Sequence, residues 1–259
     1  MAVRVGCCGF SMARAEYYRR FPLVEIQQTF YNLPRIATAE RWRREAPTRR
    51  SRNGSADFEF TMKAWQLITH EASSPTYRRL RKAIPEGEKG LYGGFQPTEL
   101  VMNAWSGTAA FARALGASVI VFQCPPRFTP TPTHVENLRK FFRTIDRACF
   151  VAAWEPRGDW PLDLVRGLCA ELGLVHVVDP LKQRPQSDGL RYFRLHGVTG
   201  YRYLHTDQDL QAILEQCDGE APTYVLFNNL FMGEEALRLQ KLLARPALRL
   251  VRPARQRGA

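Results

Sequence analysis

Three short stretches carry side chains that could act together: the lysine closing TMK at 61–63, EPR at 155–157 and RLH at 194–196. Lys63, Arg157 and Arg194 are the parts of an anion clamp, since guanidinium groups grip phosphate or carboxylate with paired hydrogen bonds. Glu155 and His196 beside them supply groups that can move a proton or position a water. Glu25 and Asp179 add carboxylates, and Gln123, Asn228 and Asn229 add neutral amides. Each of these residues lies at the end of a short apolar, β-branched run. Alone, a charged residue closing a strand reads as a solvated end. As a set the residues point to a site, because gathering so many charges in one basin costs desolvation that pairing or a ligand must offset.

Glu25, Lys63, Glu155, Asp179 and His196 are therefore the candidates for catalysis, with Glu25, Glu155 or His196 as general base. Tyr31, His70, Gln123, Arg157, Arg194, Tyr201, Asn228 and Asn229 are the candidates for holding a substrate. Tyr31, Trp65 and Tyr201 are expected near the rim, where aromatic faces can stack on unpaired bases. His70 follows the third run and is expected either to line the mouth or to anchor its loop. Replacing Arg194 by Glu is expected to abolish ligand binding and leave the fold intact. Glu155, Asp179 and His196 would also suit a divalent metal such as Mn or Zn. Three cations in the same basin repel such an ion, so a metal is not favoured and the cofactor is left open.

The elements that must position these groups are eight runs, at residues 3–8, 23–27, 58–63, 118–123, 150–155, 174–179, 192–196 and 224–228. Stretches at 39–46, 98–115, 133–148, 161–172, 206–217 and 234–244 carry apolar residues at helical spacing, with Thr133 and Asp207 placed as N-caps. This alternation predicts an α/β fold, a single-domain (β/α)₈ TIM-like barrel over residues 1–251, with a frayed tail at 252–259. The first run lacks the glycine-rich turn of a dinucleotide-binding open sheet. Residues at the C-terminal ends of barrel strands converge on one basin. Two segments interrupt the rhythm: a basic loop at 47–57 with Arg49, Arg50 and Arg52, and an insertion at 73–97. The insertion carries Arg78, Arg79, Arg81 and Lys82 before an aromatic stretch around Tyr92 and Phe95. It follows a strand end, which assigns it to the functional face.

The chain has 259 residues, with 37 Lys and Arg against 25 Asp and Glu, a formal charge of +12 that favours anionic partners. Lysine occurs only at positions 63, 82, 89, 140, 182 and 241, so the excess is mostly arginine. Apolar residues make up 45% of the chain, enough for a sizeable core. No run is long enough to span a bilayer and no signal segment precedes the first strand, so a cytoplasmic protein with no membrane partner is expected. The six cysteines lack metal-ligand spacing and are expected to be buried thiols, with Cys7 and Cys8 nearest the site.

The stretches CCGFS (7–11), EIQQTFYNLP (25–34), FEFTMKAWQLITH (58–70), QCPPRF (123–128), EPRGDW (155–160), YFRLHG (192–197) and FNN (227–229), together with Asp179, resemble the YecE-like proteins, domain of unknown function 72. The resemblance implies a TIM-like barrel related in shape to metal-dependent barrels such as xylose isomerases and endonuclease IV, with no settled reaction. Gln27 and Gln28 stand where that family usually has Asn-Ser. The basic loop at 49–54 looks inserted, and the turn after Gly9 lacks the family's usual tryptophan-containing stretch.

Two functions from different classes fit. The first is nucleic-acid binding or phosphoester hydrolysis, as by a nuclease-like hydrolase, with the polymer following basic loops outward from the mouth. The second is a metal-free enzyme or binding protein for a small phosphorylated or anionic metabolite, which needs charge only inside. A nucleophilic Cys7 or Cys8 ranks last. Catalysis, binding and oligomeric state are not separable from the sequence.

Overall fold

Along each strand, alternate residues divide between two apolar cores, and that division makes the barrel. In the computed structural model, which describes residues 3–48, 58–147, 149–217 and 219–244, eight parallel strands close in sequence order. They are β1 (Val3–Cys7), β2 (Leu23–Ile26), β3 (Glu59–Lys63), β4 (Ala117–Gln123), β5 (Val151–Glu155), β6 (Val175–Val178), β7 (Arg191–Leu195) and β8 (Thr223–Phe227), with β8 paired to β1. Every strand end falls within one residue of its expected place. Leu23, Val119, Val121, Ala153, Val175, Val177, Tyr192 and Leu226 fill the barrel interior with Cys8. Their strand neighbours Val24, Phe60, Met62, Ile120, Phe122, Trp154, Phe193 and Phe227 face outward and pack against the helical shell. Burying a side chain of this size contributes about 1.5–3 kcal/mol. The two-residue period then carries Glu25, Thr61, Lys63, Gln123, Glu155 and Arg194 inward, in line with Leu23, Val121, Ala153 and Tyr192.

The shell comprises α1 (Arg14–Arg20), α2 (Gln28–Tyr31), α3 (Ile36–Glu45), α4 (Gln66–Thr69), α5 (Glu99–Leu115), α6 (Pro132–Thr144), α7 (Leu162–Leu172), α8 (Asp207–Gln216) and α9 (Met232–Ala244). The sequence pattern misses α1, whose two tyrosines are buried within a charged segment. Two N-caps also sit elsewhere. Thr131, followed by Pro132, caps α6 in place of Thr133, and Thr206 caps α8 in place of Asp207 through a capping box with Asp209. Residues 179–190 cross from β6 to β7 without a helix, so one of the eight repeats is abbreviated.

The insertion divides between face and core. Arg78, Arg79, Arg81 and Lys82 are exposed, whereas Phe95 is fully buried against Phe122, Phe128, Phe141 and Phe142. Gly93 joins the insertion to the mouth: its φ of 79° lets its N–H reach the Leu67 carbonyl at 2.9 Å, and a Cβ there would lie 2.2 Å from the His70 carbonyl oxygen. The expected basic cluster Arg49, Arg50 and Arg52 and the tail at 252–259 lie outside the described residues. No described helix is long and apolar enough to cross a membrane.

Candidate functional site at the barrel mouth

Arg194, the fourth residue of β7, organises the mouth. It is 1% exposed, its Nη1 bonds Glu155 Oε2 and lies 3.3 Å from Gln123 Oε1, and its Nη2 lies 3.1 Å from Glu25 Oε1. Burial works against its charge, but Glu155 and Glu25 outweigh that and keep the guanidinium firmly protonated. Glu25, fully buried, also accepts from Tyr192 Oη at 2.7 Å and from the Gln27 amide. Thr61 Oγ1 lies 2.7 Å from the same tyrosine hydroxyl. The Gln27 that departs from the family pattern is thus part of Glu25's support.

Glu155 joins this buried group to the surface. Its Oε1 accepts from Arg157 Nε at 2.9 Å, and Arg157 Nη2 lies 2.6 Å from His196 Nε2. Burial would raise the Glu155 pKa, yet Arg194, Arg157 and neighbouring cations pull it down to about 2. His196 is pushed down to about 3 by burial and by Arg194, so it is neutral and accepts the Arg157 proton at Nε2.

Lys63 stands apart. It is 6% exposed, its Nζ sits 3.8 Å from the centre of the Phe30 ring, and its oxygen partner is the neutral Gln123 amide at 2.9 Å. Burial and the nearby Arg194 lower its pKa to about 7. His70, held by Thr69 Oγ1 at 2.8 Å and packed edge-on against Phe30, is likewise pushed to about 3 by burial, then by Lys63 and Arg157. Beyond His70 a cleft of about 500 Å³ opens between the loops after β3 and β4, lined by Ser73, Thr76, Arg127, Phe128 and His134. Gly158 lets the EPRGDW loop sit under that cleft, since a Cβ there would lie 2.4 Å from the Phe128 carbonyl oxygen.

The structure thus brings together Glu25, Lys63, Gln123, Glu155, Arg157, Arg194 and His196, with His70 adjoining. Asp179 accepts from the chain around it: its Oδ1 takes the Leu181 N–H at 3.1 Å, and burial raises its pKa against the opposing pull of the Leu181 and His196 backbone N–H groups. Asn228 is half-buried beside β7, its N–H bonded to the Leu195 carbonyl. Asn229 requires a correction as a substrate binder. It is 1% exposed and its amide is spent on the Tyr203 carbonyl, Glu235 and the Phe231 N–H. Glu25 is enclosed by Arg194 and Tyr192, which favours a role in holding them over the expected proton transfer. Charge reversal at Arg194 would put three carboxylates in one buried space, which argues against the expectation of an intact fold.

At the rim, Tyr31 is half-buried with the Arg79 guanidinium 4.5 Å above its ring, and Trp65 Nε1 donates to the Tyr31 carbonyl at 3.3 Å. Tyr201 is 54% exposed, and Val198, Leu204, Leu230 and Phe231 from the same two loops are exposed with it. The Leu230 N–H bonds the Tyr201 carbonyl at 3.0 Å and ties those loops together. Cys7 and Cys8 are buried thiols, and burial raises both pKa values, Cys7 to about 12. Cys149 is exposed, against expectation.

Sequence reasoning misses Tyr192, Thr61, Phe30 and the buried pair His205 and Glu235, whose Nδ1 and Oε1 are 2.8 Å apart. Tyr192 was findable, because it lies two residues before Arg194 on one strand and so shares its face. Phe30 and Glu235 come from helices and carry no such signal.

A divalent metal does not fit. Among the described residues no three His, Cys, Asp or Glu side chains gather into a ligand set. Of the three sequence candidates, Glu155 has one oxygen on each of two guanidinium groups, His196 Nε2 faces Arg157, and Asp179 meets the backbone N–H groups of Leu181 and His196.

The fold is shared with solved structures. A DUF72 family protein from Enterococcus faecalis V583 superposes with a TM-score of 0.68 at 20% identity, covering 94% of this chain and 98% of that one. A DUF72 family protein from Thermotoga maritima MSB8 gives 0.66 at 20% identity over 95% and 100%. A xylose isomerase domain containing protein from Salmonella typhimurium LT2 gives 0.58 at 14% over 93% and 98%. No curated protein matches the chain in sequence. The family model described as "Protein of unknown function DUF72" matches residues 11–257, and with the barrel and its mouth in place the chain belongs to that family.

Proposed function

We propose that the C-terminal face binds single-stranded nucleic acid, with the backbone along its loops and one phosphate at the mouth beside Arg157 and Lys63. The observation that carries this reading is the group of unpaired cations on the C-terminal loops. On the helical shell Arg14, Arg20, Arg113, Arg139, Arg143 and Arg166 each hold a carboxylate, and the exposed Arg19, Arg44, Lys140 and Lys241, which form no salt bridge among the described residues, stand singly on α1, α3, α6 and α9. On the C-terminal loops Arg78, Arg79, Arg81, Lys82, Arg127 and Arg202 are exposed and, among the described residues, form no salt bridge. Unpaired cations spread over a face match a polyanion, whose binding is driven by counterion release. Tyr201 and Phe231 offer ring faces to unstacked bases at the same rim. A small metabolite needs charge only at the mouth, where two carboxylates already offset two of the three cations.

Fluorescence anisotropy with a labelled oligothymidine tests the reading. Replacing Arg79, Arg81 and Lys82 together by alanine is expected to weaken binding at least about tenfold. Replacing Arg139 and Arg143 on the shell is expected to leave it unchanged. Equal losses from both variants would mean that only overall charge matters and would defeat the proposal. Cleavage of the same oligonucleotide, followed on a gel, separates phosphoester hydrolysis from binding alone.

A further inference from the structure

We propose that Lys63 is a carbonyl-capturing amine that forms an imine with the open-chain aldehyde of a phosphorylated sugar held at the mouth. The inference rests on the reading that the mouth receives a phosphate-bearing ligand, and it adds the chemistry done there. Three features of Lys63 carry it. The residue ends β3 and points into the barrel, so its amine sits among the groups that converge on the mouth. It is buried without a carboxylate partner among the described residues, because Glu155 is bound by Arg157 and Arg194, and Glu25 by Arg194 and Tyr192. Its surroundings are a ring face and a neutral amide, Phe30 and Gln123, a setting that does not demand an ammonium ion.

A lysine buried in this way exists partly as free amine at neutral pH, in keeping with its lowered pKa, and only the free amine attacks a carbonyl. The charged groups around it are Arg194, Glu155, Glu25 and Arg157, with the neutral His70 behind Phe30. Arg157, partly exposed at the entrance, would take the phosphate that brings the carbonyl in. In the reaction the Nζ lone pair forms a C–N bond to the carbonyl carbon. The carbon–oxygen bonds are then lost, and both amine hydrogens leave with that oxygen as one water. No electrons are exchanged with an oxidant or reductant.

The shared chemistry, an aldehyde near a phosphate, has two sources: a free sugar phosphate, or the ring-opened sugar of an abasic site in a nucleic-acid strand. The test incubates the full chain with sodium cyanoborohydride and either glyceraldehyde 3-phosphate or a single-stranded oligonucleotide with one abasic site. Peptide mapping by mass spectrometry then locates the reduced adduct. An adduct concentrated on Lys63 over the exposed Lys82 and Lys89 is expected, at least about tenfold above either, because the phosphate at the mouth would hold the aldehyde beside Lys63 alone. Lys63→Met should lose that adduct while circular dichroism confirms folding. Mapping of the unaltered chain decides the question even if this variant fails to fold. Labelling confined to surface lysines with both probes would overturn the proposal. Capture of the sugar phosphate but not the abasic strand would uphold the imine while counting against nucleic acid as its source.

Discussion

The two ends of the barrel handle buried charge differently. At the N-terminal end one carboxylate, Glu59, takes Arg4, Ser118 Oγ and Tyr224 Oη, a balanced set in which each group has a partner. At the C-terminal end two carboxylates face three cations and, among the described residues, Arg194 Nε has no hydrogen-bond partner and Lys63 has only a neutral oxygen. A closed, balanced network needs nothing further to be stable. An unbalanced one near the surface has a place for an anion or for chemistry on its unpaired amine. The contrast separates a polar cluster that supports the fold from one that, on the proposed reading, meets a ligand, although both lie at strand ends of the same sheet.

The sharpest way to break this comparison is to reverse Arg194. Arg194→Glu leaves three carboxylates in a dry space with only Arg157 on Glu155, and removing one partner of a buried pair already costs about 3–5 kcal/mol. Chemical denaturation should find the variant unfolded or nearly so. Native-like stability would mean that Arg194 does not organise the mouth. Glu59→Gln at the other end should cost less, about 1–2 kcal/mol, because Arg4 is partly exposed and recovers solvent. It should also leave oligonucleotide binding untouched.

The pH dependence of stability sharpens the comparison most, because it reads the unpaired amine directly. The folded pKa of Lys63 is about 7 against an ordinary 10.5, so between those values the unfolded chain binds the proton that the folded chain has released. Stability therefore rises with pH across that window, and below about pH 7 the residue's full penalty is present. Lys63→Met removes the titrating group. Its stability advantage over the unaltered chain should be largest near pH 6 and shrink toward pH 10.5 in parallel urea titrations. An advantage that does not change with pH would show that the amine is not stressed by burial.

How much of this was legible depended on periodicity. The eight strands and the inward row that includes Lys63, Glu155 and Arg194 follow from a two-residue repeat, which the sequence displays openly. Asn229 and Asp179 were drawn into the ring because they too lie at strand ends. What separates them is a loop carbonyl and a helix carboxylate in one case and a tight turn in the other, contacts with no sequence period. The same limit hid Phe30 and Glu235, and it hid α1, whose pattern of charge disguises two buried tyrosines. The cap of α6 was displaced by two residues because Pro132 favours the first helical turn and leaves Thr131 to accept the free amides.

The central claim, that the C-terminal face is a polyanion surface, is tested most directly by the salt dependence of oligothymidine binding. If four or more phosphates meet the loop cations, log K should fall with log salt at a slope of about −3 or steeper, since each single-strand contact contributes roughly −0.7. Replacing Arg79, Arg81 and Lys82 should make that slope shallower by about 2. A slope near zero, or one that those replacements do not change, would contradict the account and reduce the unpaired arginines to solvated decoration.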